Sequence, residues 1–420
     1  MNIRFLIVIM CVFVFPCAAA AEEISMTLDE AVTIALRDNR DVLLKTEDLN
    51  KAKAAIAEAD ASLFPTLTVS GGWSDTRGLY SKDVGAYAGQ AQARQILYKG
   101  GRIVNAIKAS EYAYTASEAV LDRTKQDIVL NVKRSFYTLL LGKEFAAVNK
   151  EILDNTKEHI DVVRARFQAG QASESDILNI ESALSSVEQA YAAAQSQVEA
   201  AQALLRNLLY LDNDVRILPG ERFRYEPQEI EYDKAFLKAM QARPEIRQAE
   251  AQRNAAARNI EVAKADNRPT VYASWDYYAR STALTGTSKN RNDYNIVGIT
   301  VSWPVFDGWL TKAKVEQAVI DLKQAQILQG KAGKDIALDV KTSYLDLKDA
   351  IEQMKSADAG VAVYKDASAV AGKKYDSGMV SLLDLHDAML GYSIALFNQT
   401  QAIYDYKIAQ ARFDNATGGI

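Results

Sequence analysis

The chain is one unit written twice. Phe167-Gln168-Ala169-Gly170, with Ser173 and Asp176 beyond it, returns 208 positions later as Tyr375-Asp376-Ser377-Gly378, with Ser381 and Asp384. The same offset carries Leu97-Tyr98-Lys99-Gly100 onto Val305-Phe306-Asp307-Gly308, and Val132-Lys133-Arg134-Ser135-Phe136 onto Val340-Lys341-Thr342-Ser343-Tyr344. Nearer the front, Phe64-Pro65-Thr66-Leu67 matches Arg268-Pro269-Thr270-Val271 at an offset of 204. A short length change therefore separates the halves between Pro65 and Leu97. A fold for this chain has to be read per unit, because a register held over most of each half means one structural element set used twice.

Ahead of the first unit, Arg4 precedes an unbroken apolar run from Phe5 to Phe15 and then Ala18-Ala19-Ala20-Ala21. That run is too short to span a bilayer as a helix and reads as a secretory signal cleaved near Ala21. The division expected is a signal over 1–21, a first repeat over 22–211, a connector over 212–232 carrying Pro219, Gly220 and Pro227, and a second repeat over 233–420. Both cysteines, Cys11 and Cys17, fall in the signal, so the mature chain has no disulfide and no thiolate metal site. Cys17 would be a lipidation site in a lipoprotein signal, but Pro16 stands where a small residue is expected. The formal net charge of −5 is scattered, which gives no footprint for nucleic acid. Export without a later apolar stretch of helix-spanning length leaves the periplasm, the outer membrane or secretion.

Within the first unit, Thr27 caps a helix with Glu30 at the capping-box position, and that helix is expected to run to about Ser62 before Pro65. The period then changes to two. Leu67, Val69 and Trp73 alternate with polar residues, a polar loop is expected over Ser74–Asp83, and a second strand over Tyr87–Tyr98 sets Gln90, Gln92 and Arg94 against Ala91, Ala93 and Leu97. Gly100-Gly101 turn into a helix with no stop before Gly170, about 100 Å of rise. From Ser173 to about Tyr210 a helix returns, keeping a 3,4 seam from Ile177 through Leu208. The second unit repeats the order: a helix from about Asp233 to Pro269, strands around Val271–Tyr277 and Ile296–Trp303 flanking a loop near Ser281–Asn292, a long helix from Gly308 to Tyr375, and a last helix from Ser381. The two shorter helices of each unit are expected end to end beside the long one, with the strands at one end and the glycine turn at the other.

The strands, with one apolar and one polar face, carry the pattern of an outer-membrane β-barrel. Leu67, Val69, Ala91, Ala93, Val271, Trp275, Val297, Ile299 and Val301 are expected toward lipid, and Gln90, Gln92, Arg94, Thr300 and Ser302 toward the lumen. Four strands cannot close a barrel, and open edges are not tolerated in lipid, so several chains must share one. A soluble two-hairpin sheet on a helical stalk is the alternative reading of the same strands.

Together the duplication, Trp303-Pro304-Val305-Phe306-Asp307-Gly308, Leu63-Phe64-Pro65 and the two glycine tips resemble the outer-membrane efflux protein family, the TolC-like channels. The resemblance covers essentially the whole mature chain. It implies a mostly α fold with a small β part: a homotrimer whose twelve strands, four per chain, close a transmembrane barrel that continues into a long α-helical coiled-coil barrel across the periplasm. It implies a passive export duct for drugs, solutes or proteins, partnered by a periplasmic adaptor and an inner-membrane pump or type I secretion system. No cofactor, metal or catalytic residue is implied. The alternative function is a periplasmic coiled-coil adaptor or scaffold, which needs no lipid-facing strands.

The tips Gly170, Ser173, Gly378 and Ser381 are expected to contact the adaptor. Asp384 and Asp387 share a helix face and match the family's periplasmic aperture. Tyr375 matches an aromatic that ties the second hairpin to an Asp in the first, here Asp176. The family's best-known member has an Arg two residues past the tip glycine, where this chain has Val380. The plainer reading of Asp384 and Asp387 is a pair of solvated carboxylates beside a helix N-terminal dipole. The two histidines, His159 and His386, sit in no ligand spacing.

Overall fold

Side chains cap the helix starts at Thr27, Asn39, Ser173 and Ser381. The computed structural model describes residues 23–79, 82–170, 173–221, 223, 225–226, 230–281 and 292–419. The expected signal segment, Gln171 and the core of the Ser281–Asn292 loop lie outside the described residues. The first unit runs β1 (Glu23–Met26), α1 (Leu28–Asp38), α2 (Arg40–Ala61), β2 (Thr66–Leu79), β3 (Lys82–Lys99), α3 (Arg102–Gln168) and α4 (Glu174–Leu209). The connector forms β4 (Arg216–Pro219), and the second unit runs α5 (Tyr232–Ala242), α6 (Pro244–Lys264), β5 (Thr270–Ser281), β6 (Asn292–Ser302), α7 (Leu310–Asp376) and α8 (Leu382–Ala416). As expected, the short helices flank the long ones: α2 and α4 both pack on α3, and α6 and α8 on α7, while α3 also packs on α6 and α8.

The helix expected from Thr27 to Ser62 is two helices. Thr27 does supply the capping box with Glu30, but Asn39 is extended (φ −65°, ψ 129°) and caps a second start by accepting from Asp41 N–H at 2.9 Å. The second unit breaks at the equivalent place. Arg243, 204 residues on, has φ −67° and ψ 126°, and Pro244 follows it. Proline disfavours helical geometry in the residue before it and suits a first helical position. In both units the break residue's N–H still reaches back, to Ala35 O and to Ala239 O.

Two further expectations change. Ser74–Asp83 is not an open loop, because β2 runs to Leu79 and pairs with β3 down to Leu79↔Lys82. The connector is not only a link, because β4 pairs in parallel with β1, from Glu23↔Arg216 to Met26↔Pro219. Gln202 anchors it: Nε2–H donates to Ile217 O at 2.7 Å and Oε1 accepts from Ile217 N–H at 3.0 Å.

The four long strands form one antiparallel sheet in the order β2-β3-β5-β6. Beside the β4 connector, Met26, Ala31, Ala35, Phe136, Leu139, Leu205, Leu209 and Ile217 make the largest buried core. At the far end of the first hairpin the core thins to Ile160, Val163 and Ile180.

Candidate functional site

Each helical hairpin ends in the same turn built from the same residues. Gly170 (φ 73°) and Gly378 (φ 74°) take the left-handed conformation that a tight reversal needs. Ser173 then opens α4: its N–H and Oγ–H donate to Asp176 Oδ2 at 2.8 and 2.7 Å, and Asp176 N–H returns to Ser173 Oγ at 3.2 Å. Ser381 and Asp384 repeat that box at the start of α8, at 3.0, 2.7 and 3.2 Å. The four tip residues Gly170, Ser173, Gly378 and Ser381 are all exposed, as are Asp384 and Asp387.

The box favours the ionised form of its carboxylates. In Asp384 the Ser381 hydroxyl, then the Ser381 backbone N–H, hold the carboxyl below the usual carboxylate range. In Asp176 the order is Ser173 backbone, then hydroxyl, with the same direction. Asp176 Oδ2 is engaged by Ser173. The Arg166 guanidinium lies over the Tyr375 ring, 4.6 Å from its centroid, and ties α3 to α7 just above the tips. This cation–π contact joins the two hairpins of one chain. Arg164 on α3 also reaches Glu181 on α4 at 3.0 Å.

At the other end, pairing register sorts the strand residues onto two faces. Val69↔Ala91, Leu67↔Ala93, Ala93↔Trp275, Trp275↔Val297, Ala273↔Ile299 and Val271↔Val301 are directly opposed, so one face carries all nine apolar residues named for lipid. That face is uncovered: Val69 is 76% exposed and Ile299 71%. The other face carries Thr68, Gln90, Gln92, Arg94, Asp276, Tyr272 and Thr300. There Asp276 is buried, accepting from Gln92 Nε2–H at 2.6 Å and Gln90 Nε2–H at 3.4 Å, and Arg94 stacks 3.8 Å over Tyr272. A bulge between Ile96 and Tyr98 lets Leu97 leave the alternation and sets Tyr98 opposite Val271. Within this chain β2 pairs only with β3, and β6 only with β5.

A sequence profile of the outer membrane efflux protein family matches the chain twice, over residues 31–209 and 237–419. This chain belongs to that family. As an outer membrane efflux protein it is a protein of the outer membrane with an export role. It is similar to the outer membrane efflux protein BepC of Brucella suis, 24% identical over 337 residues, 78% of this chain and 71% of that one. It is also similar to the outer membrane protein TolC of Escherichia coli, 22% identical over 401 residues, 90% of this chain and 80% of that one. In fold it superposes on the Campylobacter jejuni CmeC outer membrane channel with a TM-score of 0.82 at 19% identity, covering 93% of this chain and 85% of that one.

Several residues of this efflux protein escaped sequence reasoning. Arg166 was one, although it directly precedes Phe167, the repeat partner of Tyr375. Arg243 was another. It is 5% exposed and its guanidinium binds Glu245 (2.5 Å), Asp339 (2.6 Å) and Ala416 O (3.1 Å). Pro244, beside it, was the available signal for both helix breaks.

Proposed function

We propose that three copies of this outer membrane efflux protein assemble into a passive duct, with twelve strands closing a barrel in the outer membrane and the helices continuing across the periplasm. The observation that carries this reading is a four-stranded sheet whose uncovered face is apolar through its middle, over Leu67, Val69, Ala91, Ala93, Trp275, Val297, Ile299 and Val301, and which has two unpaired long edges. Lipid accepts the apolar face but not the edges, since unpaired backbone groups cost several kcal/mol each away from water. Joining β6 of one copy to β2 of the next satisfies both edges, and three copies bring four strands each to an even-stranded barrel. The polar face then lines the lumen, and helices of 67 residues extend about 100 Å from the barrel. An adaptor or scaffold role leaves the apolar sheet face without a purpose.

In this reading the tips at Gly170, Ser173, Gly378 and Ser381 receive a periplasmic adaptor, which couples the duct to an inner-membrane pump. Asp384 and Asp387 from three copies form the aperture, and Tyr375 belongs to its closure, through Arg166 on the face of its ring or through Asp176 at its hydroxyl. The duct does no chemistry and needs no cofactor. The repeats span 22–211 and 233–420 about the connector, behind a signal over 1–21.

The test is a paired-cysteine experiment. Thr68→Cys on β2 and Thr300→Cys on β6 in one chain should oxidise in outer membranes to a ladder ending at three subunits, and neither single variant should. A doubly substituted protein that stays monomeric after oxidation overturns the shared barrel.

A further inference from the structure

The two hairpins of one chain meet along α3 and α8, and that seam is closed at two levels. Above, Phe145 on α3 meets Phe397 on α8 edge to face, with centroids 5.0 Å apart. Below, Arg166 lies over Tyr375. Between these levels the helices part around a cavity of about 340 Å³ lined from α3, α4, α7 and α8. That volume falls in the range of small-molecule sites. Its walls are apolar over Ile152, Ile180, Val187, Leu385, Met389 and Leu396.

Polar residues complete the lining, with Glu151 and His386 at its exposed rim. Both histidines of the chain, His159 on α3 and His386 on α8, line the cavity, and so does the Tyr392 ring. Glu151 is the one carboxylate among the lining residues, and no Lys or Arg is among them. The neighbouring ion pairs are closed without it, Lys150 with Asp154 and Lys157 with Glu188. A largely apolar slot with one carboxylate, a tyrosine, two imidazoles and neutral polar groups, and no Lys or Arg, favours a cation with an apolar body.

We propose that this seam cavity is a binding site for a flat amphipathic organic cation, with Glu151 facing its charge and His159 and His386 holding its polar edge. The site is in the wall between hairpins and is lined by residues of one chain. A bound molecule bridges α3 and α4 to α8 and so fastens the first hairpin to the second.

Ethidium serves as the probe, with the full-length protein in lipid nanodiscs and empty nanodiscs as the blank. Its fluorescence should rise saturably, with one site per chain. Ala183→Phe, which fills the cavity, should weaken binding about tenfold or more, and Ser186→Phe, on an exposed part of the same lining, should do the same if the first variant folds poorly. Glu151→Gln should weaken it about threefold, as for a partly screened ion pair. Bound ethidium should slow amide exchange in residues 148–160 and 385–396. Wild-type binding in a folded cavity-filling variant overturns the site. Equal affinity for the anionic dye anilinonaphthalene sulfonate, or no effect of Glu151→Gln, overturns the cation assignment.

Discussion

At the scale of single residues, every left-handed position among the described residues occurs twice. Gly100 and Gly308, Gly101 and Trp309, Gly170 and Gly378, and Tyr210 and Gly418 form four pairs, each 208 apart. The backbone demand is common to both units, and the side chain meeting it is not. Trp309 accepts a left-handed geometry that costs a non-glycine residue about 1–2 kcal/mol, and its ring packs against Phe306 at 5.9 Å. The tip contact gives a sharper test. Because Arg166 meets the face of Tyr375 and not its hydroxyl, Tyr375→Phe should leave closure nearly unchanged. Arg166→Ala should remove a contact worth about 0.5–2 kcal/mol and raise the open probability in planar bilayers. A large conductance increase in Tyr375→Phe with none in Arg166→Ala would return the latch to the hydroxyl and Asp176. Asp384, at the proposed aperture, carries opposed influences: the Ser381 box lowers it, while like charges crowded in a trimer would raise it.

Among the elements, the broken helices carry the most information. At each break the side chain reaches a carbonyl left open at the end of the unit's last helix. Asn39 Nδ2–H donates to Leu208 O at 3.3 Å, and Arg243 Nη1–H donates to Ala416 O at 3.1 Å, 208 residues further on. Orphan carbonyls of this kind need partners. Two unlike side chains thus do one job, and their replacement should cost differently. Asn39→Ala should lose about 1 kcal/mol of stability, the size of a helix cap. Arg243→Ala removes a buried guanidinium with three partners, leaving Glu245 to Arg123 and Asp339 to water, and should lose more, about 1.5–3 kcal/mol. Thermal unfolding that drops equally in both would reject the distinction. Burial alone would raise the Glu245 carboxyl, but hydrogen bonds from Arg243, with Arg123 nearby, hold it below its ordinary 4.5. Its stabilising share is therefore full above about pH 4.5 and is lost as pH falls through the lower folded value. The stability gap between the wild type and Glu245→Gln should shrink in that acid window and stay flat from pH 6 to 8.

These breaks also mark where the text of the chain stopped being legible. The apolar spacing of the first helix runs on past Asn39, since a cap made by one Asn side chain leaves the period undisturbed. In the second unit Pro244 announces the same break, and carrying it back 204 positions would have found Asn39. The polar stretch Ser74–Asp83 misled in another way, because polar composition does not distinguish a loop from strand ends paired through their backbone. Tips, strand faces and long helices were readable because each rests on a local rule: a glycine turn, a period of two, a missing stop. The Arg166–Tyr375 contact was not, because it joins residues whose meeting depends on how one hairpin leans on the other.

For the whole molecule, the sheet and the helices ask for different solvents. Ile299→Arg, on the apolar face of β6, should cost about 2–4 kcal/mol near the bilayer midplane and reduce the assembled protein recovered from outer membranes. Thr300→Arg, one residue on and facing the other way, should assemble normally and shift ion selectivity toward anions. Equal assembly of the two variants would mean that the faces are wrongly assigned. The pairing of Glu23–Met26 with Arg216–Pro219 has a consequence in time. A chain made from its N-terminus holds its first strand without a mate until nearly two hundred more residues have followed. The first unit thus cannot seal until the connector arrives, and the connector's arrival also starts the second copy. The strand pair ties the closing of one half to the point in the chain where the other begins.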